Sequence, residues 1–182
     1  MSESVVEVEV IIPVPEQSAV CGLGKAEEAH GAADLTPDDL LRRAREQAAE
    51  RGTPYAGGLY PREAWQVVSA QRAVLVDVRT AEELKFVGRV PGALHVAWQT
   101  GPAMIKNPRF VRELEVKVGK DAVVLLLCRS GKRSAAAAEA AAKAGFSNVF
   151  NVLEGFEGDL DQDSRRGDSG GWRLWGLPWV QD

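Results

Sequence analysis

The sequence predicts an α/β fold with a central, mostly parallel sheet flanked by helices on both faces. Two observations carry this. From about residue 60, short apolar runs alternate with helical segments, the rhythm of a sheet whose crossovers cover it. The run Val123-Val124-Leu125-Leu126-Leu127 is also unbroken by polar residues, as in a strand buried on both sides.

Each element has its own signal. Val6, Val8 and Val10 alternate with Glu7 and Glu9, a short period-two strand pattern, which Pro13 and Pro15 interrupt. Cys21-Gly22-Leu23-Gly24-Lys25 lacks the full spacing of a phosphate loop and carries little weight. A helix is predicted over 37–50. Thr36 caps it, Pro37 fits its first turn, and Asp38 and Asp39 suit the positive end of its dipole. Leu35, Leu40, Leu41, Ala44 and Ala48 form its apolar face, leaving Arg42, Arg43 and Arg45 to solvent.

Tyr60-Pro61 opens a second, short helix, and residues 73–78 read as a buried strand. Residues 81–86 form a helical turn or more, and Pro91-Gly92 turns the chain into a short strand at 94–96. A helix over 110–117 closes at Gly119, a central strand runs over 123–127, and a helix over 132–144 closes at Gly145. The last strand covers 148–153. Residues 158–171, rich in Gly, Asp, Ser and Arg, read as a mobile loop. Trp172, Trp175 and Trp179 would be costly to leave in water, so the tail is expected to dock on the domain. The expected organisation is an extension over 1–55, a catalytic domain over 56–158 and a packed tail over 159–182.

Composition is that of a soluble globular protein: 182 residues, 45% hydrophobic, 26% charged. A net charge of -4 and a pI near 5.4 give no reason to expect nucleic acid or an anionic membrane as partner. Cys21 and Cys128 are too far apart in sequence to suggest a disulfide framework, and with only His30 and His95 they make no metal cluster. The acidic N-terminus lacks the features of a signal peptide, and no stretch approaches a membrane span. A cytoplasmic location is therefore expected, where a thiol stays reduced.

The chemistry centres on Cys128. It follows the central strand and precedes Arg129-Ser130-Gly131-Lys132-Arg133-Ser134 and an alanine-rich helix. In an open parallel sheet, ligands bind beyond the carboxyl ends of the strands. The first-turn amides of the helix lack intrahelical partners, and Gly131 allows backbone N–H groups to converge. Together with three cations, these features stabilise a thiolate and a bound anion. The competing reading makes Cys128 a small buried hydrophobe at a strand end. It leaves the concentration of cations around the thiol without a purpose.

Residues 128–134, Cys-Arg-Ser-Gly-Lys-Arg-Ser, resemble the active-site loop of the rhodanese-like sulfurtransferases. Leu75-Val76-Asp77-Val78-Arg79-Thr80 with Glu82-Glu83, Gly88-Arg89-Val90-Pro91-Gly92-Ala93, and Asn151-Val152-Leu153-Glu154-Gly155 extend the resemblance over about residues 60–158. Arg89, His95 and Phe156 depart from the commoner His, Asn and Gly. The resemblance implies a rhodanese-like fold and a two-step transfer with no metal or organic cofactor. Cys128 takes the outer sulfur of a donor such as thiosulfate, and cyanide, a small thiol or a thiol-containing protein accepts it from the persulfide. Arg129, Lys132 and Arg133 would bind the sulfonate end, and amides from Ser130 to Ser134 would hold the persulfide.

Asp77, at the end of a neighbouring strand, either supports the loop or makes a plain ion pair with a cation; the two readings weigh equally. Arg79 and Glu83 are expected to pair at i, i+4. His95 and Trp98 read as packed residues, and Cys21 as inert. Two rivals remain. A phosphatase or arsenate reductase would place five residues between Cys and Arg, whereas four separate Cys128 from Arg133. A non-catalytic, partner-binding module usually lacks the cysteine.

Overall fold

The computed structural model describes residues 35–181; the candidate strand near the N-terminus, Cys21 and His30 lie outside them. The described chain runs α1 (Pro37–Glu50), β1 (Gly57–Leu59), α2 (Pro61–Ser69), β2 (Val74–Asp77), α3 (Ala81–Val87), β3 (Leu94–His95), β4 (Gln99–Thr100), β5 (Ile105–Lys106), α4 (Phe110–Val118), β6 (Val124–Leu127), α5 (Lys132–Lys143) and β7 (Val149–Val152). Five strands form a parallel sheet in the order β1-β7-β6-β2-β3, and β4 pairs with β5 in a small antiparallel ribbon. No described helix is long and apolar enough to cross a membrane.

The helix boundaries follow from their caps. Thr36 and Asp39 form a reciprocal capping box at α1, and the carboxyl of Asp39 is held down to about 2 by its bonds to Thr36 and Arg42. Thr80 and Glu83 make the same arrangement at α3. Gly119 ends α4, as its position predicts. Two features escape the sequence patterns. β1 begins with two glycines, which hide a strand, and α1 packs so closely that a Cβ at Gly57 would run into the Ala44 carbonyl. The ribbon strands are two residues each, too short for any periodicity.

Alternation along each strand sends side chains to two cores. Leu125 and Leu127 of β6 join Leu40, Leu41, Leu59, Val67, Phe150 and Trp172 on one face. Val124 and Leu126 face the other way with Cys128, onto Phe110, Leu114, Ala137, Ala138 and Ala141. The Trp-rich tail does dock. Trp172 is fully buried edge-on to Trp65 at 5.9 Å, and Trp179 meets Phe156 at 6.1 Å. Residues 158–171 contain no helix or strand, but Asp161 caps its own turn through the amides of Asp163 and Arg165.

Candidate active site

β6 ends at Leu127 and α5 begins at Lys132, so the thiol loop is compressed into Cys128, Arg129, Ser130 and Gly131. Gly131 caps α5 with φ +84°, a left-handed conformation that a side chain would strain. The turn after β7 braces the loop from outside. Phe156 N donates to the Cys128 carbonyl at 2.8 Å and Glu157 N to that of Arg129 at 2.9 Å. Cys128 itself is 1% exposed and packs among the alanines of α5. It is not merely a small hydrophobe there, because its Sγ lies 3.1 Å from Ser134 Oγ, which in turn lies 2.7 Å from Asn151 Oδ1.

The cation of the loop, Arg129, and the two that open α5, Lys132 and Arg133, have different partners. Arg133 is half-buried and holds both oxygens of Glu83, at 2.8 and 2.6 Å. Burial pushes its pKa down, but the bond and charge of Glu83, then the charges of Cys128 and Asp77, raise it overall. Burial likewise pushes the Glu83 carboxyl up, and Arg133 and the Thr80 amide outweigh that and lower it. Lys132 is exposed and sits 3.2 Å from Asp159. Arg129 is exposed and lines a cleft of about 440 Å³ with Thr80, Glu82, Glu83, Gly101, Pro102 and Met104. The cleft thus lies between the start of α3, the β4–β5 ribbon and the thiol loop.

One expectation about the end of β2 is corrected by this geometry, and the two readings of Asp77 are separated. Arg79 does not pair with Glu83. It precedes the helix cap Thr80, so the i, i+4 spacing of a helix does not apply, and its guanidinium folds back on Asp77 at 2.6 Å. The carboxylate of Asp77 also accepts from the Arg79 backbone N and Nε, both at 3.0 Å. Of the two readings of Asp77, the geometry matches the ion pair; the hydrogen bonds bracing the loop come from residues 156 and 157. Arg79 stacks on the Phe156 ring at 4.1 Å and donates to the Gly88 carbonyl at 2.8 Å. Its Nη1 is the one buried side-chain polar atom among the described residues without a hydrogen bond.

His95 is satisfied at 2.8 Å from the Arg79 carbonyl, and Trp98 is packed edge-on against Phe110 at 5.0 Å. Sequence reasoning missed Glu83 as the partner of Arg133 and Asn151 as a neighbour of the site. A buried asparagine within the apolar strand Val149–Val152 was the available signal for the second.

A family model described as the rhodanese-like domain matches residues 60–161. The chain is 36% identical over 119 residues to the uncharacterized protein RP600 homolog of Rickettsia rickettsii, covering 62% of this chain and 87% of that protein. It is 33% identical over 98 residues to the thiosulfate sulfurtransferase GlpE of Actinobacillus succinogenes, covering 54% and 78% respectively. The crystal structure of Rv0390 from M. tuberculosis superposes with a TM-score of 0.64 at 44% identity, over 70% of this chain and 99% of that one.

Proposed function

The chain belongs to the rhodanese-like domain family, and from that premise we propose that it is a sulfurtransferase that carries sulfur as a persulfide on Cys128. The thiolate attacks the outer sulfur of thiosulfate, and the S–S bond breaks with its electron pair leaving on sulfite. An acceptor such as cyanide then attacks the terminal sulfur, giving thiocyanate and restoring the thiolate.

The observation that carries this reading is the setting of the thiol. Cys128 directly follows the central strand β6 and precedes the N-terminus of α5, within the electrostatic reach of Arg133. With Arg133 engaged by Glu83, Arg129 at the cleft is the cation best placed to receive the sulfonate, whereas exposed Lys132 pairs with Asp159. In this reading the backbone amides from Ser130 to Ser134 hold the persulfide. The four-residue spacing to Arg133 favours a sulfur atom over a phosphoryl group.

Intact mass after incubation with thiosulfate tests the carrier step. A gain of about 32 Da, the mass of one sulfur, that cyanide removes is expected. Cys128→Ser should lose the gain and reduce thiocyanate formation by at least about a thousandfold while keeping the fold. Undiminished transfer by that variant overturns the proposal.

A further inference from the structure

The cleft beside the thiol loop is lined by three charged side chains, Glu82, Glu83 and Arg129, and only Glu83 is neutralised within the fold. It accepts from both guanidinium arms of Arg133 and from the Thr80 amide. Glu82 and Arg129 are exposed, and among the described residues neither has an oppositely charged partner within ion-pair distance. They do not pair with each other, although they line one cleft of about 440 Å³. Bonds from its own amide and from Thr80 hold the Glu82 carboxyl below its ordinary value, so it is an anion at neutral pH. Pro102 and Met104 give the cleft an apolar wall.

Two separate, unneutralised charges of opposite sign are complementary to a ligand that carries both. Thiosulfate matches only Arg129 and is repelled by Glu82, and cyanide is far smaller than the cleft. A short thiol that bears an α-amino acid group matches every feature. Its carboxylate suits Arg129, its ammonium suits Glu82, and its carbon and sulfur body suits Pro102 and Met104. Arg129 directly follows Cys128 in the chain, so a ligand held by it is kept at the thiol loop.

We propose that the cleft selects a zwitterionic thiol amino acid as sulfur acceptor, with Glu82 as the residue that recognises its ammonium. The transfer rests on Cys128 being the sulfur carrier. The acceptor loses its thiol proton to solvent, and its thiolate attacks the terminal sulfur of the persulfide. The S–S bond of the protein breaks with its electron pair returning to Cys128 Sγ, and the acceptor leaves as a persulfide anion. Sulfite departs before the acceptor enters, so Arg129 serves the sulfonate and the carboxylate in turn.

The test is an NMR titration of the full chain with S-methyl-L-cysteine, which carries both charges and no reactive thiol. Methylthiopropionate lacks its ammonium, and methylthioethylamine lacks its carboxylate. Each should bind about three- to fivefold more weakly than S-methyl-L-cysteine at low salt, as exposed ion pairs allow, with the differences shrinking at high salt. Glu82→Gln should weaken S-methyl-L-cysteine and tighten methylthiopropionate, because the repelling carboxylate is gone; a cleft that was merely damaged would weaken both. Equal binding of the three ligands by the wild type, or an unchanged preference in Glu82→Gln, overturns the proposal. A protein that gains the mass of one sulfur from thiosulfate should then pass it to cysteine faster than to mercaptopropionate at equal thiolate concentration, and the absence of that preference also overturns it. The titration involves no sulfur transfer, so a failed mass gain would strike the carrier reading while the binding data still decide whether the cleft recognises a zwitterion.

Discussion

At Glu83 the same carboxylate caps one helix and neutralises a cation in the first turn of another. It accepts the Thr80 amide at 3.0 Å and both guanidinium arms of Arg133, so the start of α3 and the start of α5 share one charge pair. Breaking a half-buried, charge-assisted pair from one side costs about 1–3 kcal/mol, and Glu83→Gln is expected to lose that much in urea unfolding near neutral pH. The folded carboxyl titrates below its ordinary value, so the stabilisation is complete above the unfolded pKa and is lost as pH falls through the folded one. The gap between wild type and Glu83→Gln should therefore close on acidification, and a gap that stays constant from neutral pH to acid would refute the assignment. None of this was readable from spacing alone. Arg133 and Glu83 are 50 positions apart, and only the sheet order brings α3 and α5 together.

The elements themselves were more legible than their contacts. Thr36, Gly119 and Gly145 punctuate helices by local chemistry, so boundaries fell within a residue or two of the observed ones. The thiol loop was visible for the same reason, since an apolar strand, a glycine and a helix follow in immediate succession. Its brace was not, because it is a tertiary contact. Gly155 has φ +66°, and a Cβ there would stand 2.5 Å from the Cys128 carbonyl oxygen and 2.6 Å from Ser130 N. Neither backbone atom can yield without moving the loop. Gly155→Ala should thus combine about 1–3 kcal/mol of destabilisation with a loss of at least about tenfold in thiocyanate formation. Wild-type rates in that variant would show that the loop does not depend on its brace.

At the scale of the whole molecule, the tail is part of the core that holds the sheet. Its tryptophans indicated burial from composition, but not where they would go. Trp172 fills the face shared by α1, α2 and the sheet, with its Nε1 donating to the Pro178 carbonyl at 2.9 Å. Glu154, next to the brace, accepts from Trp175 Nε1 and from Gly171 N, both at 2.9 Å, and Arg89 bridges Val180. The segment that braces the thiol loop is thus itself tied to the tail. Removing a fully buried tryptophan leaves a cavity that close-packed neighbours cannot fill, at a cost of about 3–5 kcal/mol. Trp172→Ala should lower the guanidinium midpoint by that equivalent, whereas Trp172→Phe, which keeps a ring against Trp65, should lose distinctly less. If the tail were an appendage resting on a complete domain, the alanine variant would lose under about 1 kcal/mol, since surface changes rarely exceed half of that. Equilibrium unfolding of the three proteins at one pH decides between the two, because only the core role predicts a graded loss that follows the volume removed.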